Sequence, residues 1–261
     1  MAKIIPLEVC ADSVDSALAA ERGGAARVEL CTNLFEGGTT PSAGLISTVR
    51  HRISIDLHVM IRPRAGDFCY SADEFEVMQQ DVLTAKQLKA NGVALGILNT
   101  NGTVDIARTR KLVELARPLS VTFHRAFDMS SDLFRALEDI AYTGAKRILT
   151  SGGEPSAAEG MDTLKRLVSA GKGRVIIMAG GGVRDHNVRT LLEQTHVPEV
   201  HAGMTESVPS PMRYQNKRIT IGSAAKPALD RFVVLQKSVE DLVKALRPSK
   251  KVRRNLAESA S

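Results

Sequence analysis

The sequence predicts an α/β fold, and three observations lead to that prediction. Short runs rich in β-branched residues alternate with helical patterns eight times along the chain. These runs contain few charged residues, as expected of parallel strands that are buried on both faces. No linker interrupts the repeat within the 261 residues. Eight uninterrupted units fit a closed (β/α)8 barrel, the TIM barrel, better than an open doubly wound sheet.

Each strand is predicted from a short apolar run, and helices are predicted in the intervals. The eight predicted strands are Ile4–Val9, Arg27–Leu30, Ile55–Ile61, Val93–Leu98, Leu119–Phe123, Arg147–Thr150, Arg174–Met178 and Glu199–His201. Residues that favour a helix start precede the first, fifth and sixth helices, namely Asp12 or Ser13, Ser130 and Ser156, and Asp185 lies near the start of the seventh.

The repeat defines one domain over residues 1–246, followed by a basic tail at 247–261 that we predict to be disordered. The tail supplies +4 of the formal net charge of +6, which leaves an ordinary balance in the domain. No aromatic residues alternate with the basic ones to stack on bases, so we do not expect binding to nucleic acid.

The sequence also bears on location. No apolar run approaches the length of a membrane-spanning helix, and the stretch before the first strand is too short for a signal peptide. The three cysteines include no Cys-x-x-Cys pair, which favours reduced thiols over a disulfide scaffold. We therefore expect a cytoplasmic protein without a membrane partner.

Two copies of the pattern Glu-x-Cys end the first two predicted strands. Glu8 and Cys10 share one strand face, as do Glu29 and Cys31, because successive side chains point to opposite faces. If these strands are parallel neighbours, roughly 4.8 Å apart, the two thiols meet. Thiolates are the ligands that select Cu(I) and zinc. Cys10 and Cys31 are therefore candidate ligands of one soft metal ion.

Polar residues also gather where other predicted strands end, at the face of a barrel that carries the chemistry. A candidate catalytic set for acid–base chemistry is Glu8, Glu29, Arg62, His124 and Asp128. A candidate anion-binding set is Arg62, Arg64, Ser151, Gly181 and Gly182. Buried carboxylates need partners, and those expected for Glu8 and Glu29 are Arg62, Arg64 or His124. The alternative to metal binding is therefore a lyase- or isomerase-like enzyme that acts on a small anionic or phosphorylated metabolite.

Several ordered segments together carry a family resemblance. They include Leu7-Glu8-Val9-Cys10, Val28-Glu29-Leu30-Cys31, Glu36-Gly37-Gly38-Thr39-Thr40-Pro41-Ser42, Met60-Ile61-Arg62-Pro63-Arg64, Thr122-Phe123-His124-Arg125-Ala126-Phe127-Asp128, Leu149-Thr150-Ser151-Gly152 and Ser210-Pro211-Met212-Arg213-Tyr214. In this respect the chain, from about residue 4 to residue 246, resembles the CutC family. The resemblance implies a cytoplasmic barrel protein that often self-associates and is named for copper homeostasis. It also implies Cu(I) binding by the cysteines that match Cys10 and Cys31.

The leading hypothesis is Cu(I) binding by Cys10 and Cys31 in a homo-oligomeric copper homeostasis protein, with the copper ion as its partner. The enzyme hypothesis is the alternative. The copper hypothesis requires the two sulfur atoms to meet at the open mouth of the barrel, because both must reach one ion.

Overall fold

The computed structural model describes residues 5–214, 216, 218 and 230–247, and it confirms the predicted barrel. Eight parallel strands pair in chain order, and the eighth pairs with the first to close the sheet. The strands are β1 (Leu7–Ala11), β2 (Arg27–Leu30), β3 (Asp56–Met60), β4 (Gly92–Leu95), β5 (Ser120–Phe123), β6 (Arg147–Thr150), β7 (Ile176–Ala179) and β8 (Glu199–Gly203). Each overlaps its predicted range, although Ile4 lies outside the described residues.

Helices surround the barrel. The α-helices are α1 (Val14–Arg22), α2 (Ala43–Arg52), α3 (Ala72–Gln87), α4 (Ile106–Ala116), α5 (Leu133–Thr143), α6 (Met161–Gly171), α7 (Val188–Thr195) and α8 (Gln236–Leu246). Two short 3-10 helices, Leu34–Glu36 and Arg125–Met129, lie in the loops after β2 and β5. Among the helices that the structure describes, none is both long and apolar enough to span a bilayer.

The first predicted helix start is confirmed, whereas three later ones lie slightly before the true starts. The Ser13 side chain accepts a hydrogen bond from the Ser16 N–H and caps α1. α5 begins after Asp132 instead of Ser130, because the Asp132 carboxylate accepts two N–H groups of the first turn. The residues that precede α6 and α7 are Gly160 and Asn187.

Alternation along the strands separates a polar barrel interior from an apolar outer layer. Val9, Val28 and Val59 belong to the main apolar core, which packs the strands against the helices. The interior-facing residues that alternate with these valines along each strand are mostly charged or thiol side chains, and Glu8 and Glu29 are nearly fully enclosed. The barrel interior is therefore the place where the polar groups of the chain find their partners.

A two-stranded antiparallel sheet between β8 and α8 is not predicted by the sequence. It consists of β9 (Thr205–Val208) and β10 (Arg231–Val234). Phe232 of this sheet packs edge-on against Phe35 in the loop after β2, with ring centroids 4.7 Å apart. This separate sheet therefore lies beside the loop after β2, at the carboxyl end of the barrel. Apart from Arg247, the predicted basic tail lies outside the described residues.

Candidate functional site

Cys10 and Cys31 meet inside the carboxyl end of the barrel. Cys10 is paired with Glu29 across the parallel strands β1 and β2, and Cys31 directly follows β2. The two Sγ atoms lie 3.3 Å apart. Cys31 is fully enclosed, while Cys10 is 7% exposed. The predicted meeting of the two thiols is therefore confirmed.

The wall around the thiols is apolar and tightly packed. Met60 and Ala94 form one apolar cluster with the two cysteines, and the partly buried Leu34 packs against this cluster. A side chain at Gly38 would approach Sγ of Cys31 to 3.4 Å, and the φ of +86° at Gly38 favours glycine. Only Cys10 of the pair lines the cavity at the barrel mouth. Access to the pair is therefore through Cys10.

Glu29 and His201 stand beside the thiols. One ligand atom from each of Cys10, Glu29 and His201 lies within 4.8 Å of the others. Burial raises the pKa of Glu29 to about 7, although His201 opposes this. Burial opposes the charge on His201, but Glu29 and Glu8 raise its pKa above the ordinary value. The hydrogen bond with Cys31, burial and the nearby carboxylates raise the pKa of Cys10, so its thiol stays protonated.

Glu8 lies deeper in the barrel, and its partners differ from those predicted. Its carboxylate pairs with Arg27 and with His201 Nδ1 at 2.8 Å, and His58 Nδ1 lies 3.6 Å away. Register explains these contacts, because Glu8 lies opposite Arg27 on β2 and opposite His201 on β8. Burial opposes ionisation, yet these partners hold the pKa of Glu8 well below its usual range.

A second buried carboxylate, Glu199, shares Arg27 with Glu8. Arg147 donates to Glu199 at 2.6 and 3.0 Å, and Arg27 donates to it at 2.7 Å. Burial opposes the charge on Glu199, but the two guanidinium groups lower its pKa. This network fills the amino end of the barrel and lies below the thiol pair.

The prediction that Arg62 and Arg64 would partner Glu8 and Glu29 is wrong. Both arginines follow the end of β3, where other oxygen atoms are closer. The acceptors of Arg62 are the backbone carbonyls of Glu36, Gly38 and Gly66, at 2.6, 2.8 and 2.8 Å. Arg64 pairs instead with Glu74, at 2.5 Å, on the outer side of the loop.

His124, after β5, also contacts neither buried carboxylate, contrary to the prediction. Its Nδ1 accepts a hydrogen bond from the Ala126 N–H at 3.2 Å, so in the neutral ring the proton is on Nε2. Burial and the charge of Arg62 lower the pKa of His124 to about 3, which keeps the ring neutral near pH 7. The Phe68 ring lies 5.2 Å from the His124 ring and 5.1 Å from Arg62 Cζ. His124, Phe68 and Arg62 therefore form one wall of the cavity.

Asp128 connects the loops after β5 and β6. It accepts hydrogen bonds from the Ser151 and Gly153 N–H groups at 3.1 Å, from the Thr150 hydroxyl and from Arg125 at 2.8 Å. These contacts use the acceptor capacity of the carboxylate and hold the loops in place. The acid–base role predicted for Asp128 stays a prediction.

Gly181 and Gly182 follow β7 and line the cavity. Both have positive φ, +97° and +71°. A side chain at Gly181 would lie 3.2 Å from Ser151 Cβ and 3.5 Å from the Arg125 guanidinium, so glycine permits this close approach. Ser151 is buried behind this loop and accepts a hydrogen bond from Arg125 at 2.8 Å. Ser151 therefore supports the loop and does not line the cavity.

The cavity has a volume of about 880 Å³ and opens at the carboxyl ends of the strands. Predicted site residues that line it are Cys10, Glu29, Arg62, His124, Asp128, Gly181 and Gly182. Those that do not are Glu8, Cys31, Arg64 and Ser151. Phe68, Arg184 and His201 also line the cavity and lie outside the predicted catalytic, anion-binding and metal sets. The position of His201 at the end of the last predicted strand indicates a site residue, because barrel closure places that strand beside β1.

The fold is a closed (β/α)8 barrel with a buried thiol pair and a ligand-sized cavity at its carboxyl face. The protein is therefore a TIM-barrel protein, and its candidate site lies at the face where this fold usually carries active sites. The sequence model of the CutC family matches residues 5–206. The chain therefore belongs to the CutC family, and the resemblance seen in the sequence is confirmed.

Relatives cover most of the chain. The copper homeostasis protein cutC homolog of Mus musculus is 47% identical over 218 residues, which are 84% of this chain and 80% of the relative. A CutC family protein of Chromobacterium violaceum is 46% identical over 241 residues, 92% of this chain and 96% of the relative. The crystal structure of CutC from Streptococcus agalactiae superposes with a TM-score of 0.72 at 35% identity and covers 76% of this chain and 97% of its own.

More distant structures share the fold alone. Phosphoribosyl anthranilate isomerase from Thermotoga maritima gives a TM-score of 0.57 at 16% identity, over 93% of this chain and 98% of its own. At that identity the similarity reports the barrel architecture and carries no information on activity.

Proposed function

We propose that this protein binds Cu(I) through Cys10 and Cys31 and acts in copper homeostasis. The observation that carries the proposal is the 3.3 Å approach of two buried sulfur atoms from neighbouring strands. Thiolates are soft ligands and favour Cu(I) over hard cations. The copper homeostasis names of the mouse and human relatives support the same role.

The surroundings of the thiols fit a soft ion. Met60 and Leu34 give the pair an apolar wall, and Glu29 and His201 are the further donors at hand. Because the pKa of Cys10 is raised, this thiol has to release its proton when it becomes a ligand. A Cu(I) ion bound here supplies the positive charge that stabilises the thiolates.

Anaerobic titration with Cu(I) against a competing chelator tests this proposal. We expect about one ion per chain, and loss of that uptake in Cys10→Ser and in Cys31→Ser, because the remaining sulfur cannot form the pair. Cys69→Ser is the matched control, since Cys69 is the third cysteine and stands outside the pair. Unchanged uptake in either strand variant would reject the thiol-pair site.

We further propose that the protein is cytoplasmic and self-associates. The family resemblance supports both statements, and reduced thiols suit the cytoplasm. Sedimentation of the full chain at micromolar concentration should give a mass above that of one chain. A monomeric mass would remove the proposal of self-association, and recovery of the expressed chain with membranes would remove that of location.

A further inference from the structure

Arg62 is a buried cation whose charge has no carboxylate partner in the described part of the chain. It is 5% exposed, and its terminal nitrogens donate to three backbone carbonyls. These carbonyl oxygens accept hydrogen bonds but do not neutralise the charge, and the buried Nε of Arg62 has no hydrogen-bond partner among the described residues. Buried charges are normally paired. Arg62 therefore leaves a positive charge at the cavity wall.

Two acidic side chains near this wall are engaged elsewhere, and Glu29 and Glu36, which also line the cavity, form no salt bridge with Arg62. Asp67 pairs with Arg64 at 3.0 Å, and Asp128 pairs with Arg125. Neither makes a salt bridge with the Arg62 guanidinium. The charge of Arg62 is therefore available to a ligand.

His124 adds an unused hydrogen-bond donor to the same wall. The side chain is 3% exposed, and its Nδ1 is occupied by the Ala126 N–H. The buried Nε2, which carries the proton of the neutral ring, has no partner among the residues that the structure describes. An unmatched buried donor is costly, so an acceptor brought by a ligand would be favourable there.

The Phe68 ring lies beside both Arg62 and His124. Its ring lies 5.1 Å from Arg62 Cζ and 5.2 Å from the His124 ring, and all three residues line the cavity of about 880 Å³. That volume is in the range of small-molecule sites, roughly 300–1,000 Å³. A cation and a neutral donor on one wall together recognise a negatively charged oxygen.

We infer that this cavity binds a small organic oxyanion, with its oxygen hydrogen-bonded to His124 Nε2 and its charge facing Arg62. The shared chemistry is that of a carboxylate or a phosphate group. The site uses neither thiol of the pair, so the inference goes beyond the proposed Cu(I) binding and does not depend on it.

Calorimetric titration of the full-length, copper-free chain tests the inference. The carboxylate probe is pyruvate, and the phosphate probes are inorganic phosphate and glycerol 3-phosphate. Saturable binding of at least one probe is expected, and the arm in which it occurs identifies the group recognised. The absence of saturable binding up to tens of millimolar in both arms would overturn the inference.

Two variants at one position test the role of His124. His124→Phe keeps a ring of similar size but removes the donor, and we expect binding to weaken by about tenfold or more. His124→Gln retains a donor and is the matched control, expected to bind within about threefold of the wild type. Circular dichroism checks that both variants fold. Wild-type affinity in folded His124→Phe would overturn the inference.

Cu(I) titration of the same His124→Phe protein separates the two proposals. Loss of oxyanion binding with normal Cu(I) uptake supports the inference. If the wild-type chain takes up no Cu(I) yet binds the probes through His124, only the proposed copper function fails.

Discussion

Replacing Glu199 by glutamine is expected to lower the free energy of unfolding by about 3–5 kcal/mol. Glu199 receives three hydrogen bonds from Arg147 and Arg27 inside the amino end of the barrel. All three residues are less than one tenth exposed. Without this carboxylate, Arg147 has no carboxylate partner in the described part of the chain, and Arg27 keeps only Glu8. A buried ion that loses its partner costs far more than an exposed pair contributes.

Urea unfolding measures this effect, provided that the m-values of the compared proteins agree. Glu193→Gln makes the same chemical change at an exposed position of α7 and is expected to shift stability by no more than about 0.5 kcal/mol. The double replacement of Glu199 and Arg147 by methionine should recover part of the loss, because it removes the desolvation cost together with the attraction. A shift for Glu199→Gln no larger than that of the control would contradict the expected role of the network.

Lowering the pH from 7 to 5 is expected to reduce the free energy of unfolding of the wild type by about 2 kcal/mol more than that of His124→Gln. A similar difference is expected between the wild type and His58→Gln. Burial lowers the pKa of each ring from 6.5 to about 3, and for His58 this outweighs the attraction of Glu8. Both rings are nearly fully enclosed. Each ring therefore remains neutral in the folded chain across this pH interval.

The sign follows from which state takes up protons. Above pH 6.5 the rings are mostly neutral in both states and contribute little. Below pH 6.5 each ring is protonated in the unfolded chain but neutral in the folded chain. The free energy of unfolding therefore falls as the pH falls, by up to about 1.36 kcal/mol per pH unit for each ring. The loss continues until the folded pKa is reached. Over the interval from 6.5 to 5 this amounts to about 2 kcal/mol per ring.

Unfolding curves at several pH values, compared between each variant and the wild type, isolate the histidines. The comparison removes the contributions of other titrating groups to the free energy of unfolding. One of these groups is Glu29, whose raised pKa makes stability rise as the pH falls over the same interval. His186→Gln is the control, because the His186 side chain is 75% exposed. If the difference between wild type and His124→Gln or His58→Gln did not change with pH, the assignment of buried neutral rings would be wrong.

Much of the fold was predictable because a buried parallel strand has a local signature. The range Arg27–Leu30 was predicted as observed, as was Arg147–Thr150. The two-stranded sheet of β9 and β10 was not predicted. Its strands are short, partly exposed and separated along the chain, so neither has the continuous apolar run of a barrel strand.

The candidate site was predictable in part. The meeting of Cys10 and Cys31 needed only alternation within a strand and the adjacency of consecutive strands. The partners of Glu8 were not predicted, because charged residues near strand ends were the expected partners. Arg27 instead lies within an otherwise apolar strand, and its role depends on register. The availability of His124 Nε2 depends on a backbone N–H that folding places against Nδ1.

By itself the sequence determined the eight-stranded barrel and the pairing of the two thiols. These features follow from patterns that repeat within one strand and from the order of neighbouring strands along the chain. Only the tertiary structure decided which charges are neutralised and which remain free. Glu8 and His201 are 193 positions apart and touch because the barrel closes. Arg62 keeps its charge free because the loops around it supply carbonyl oxygens instead of carboxylates. Such contacts depend on closure, register and loop conformation, which no local pattern contains.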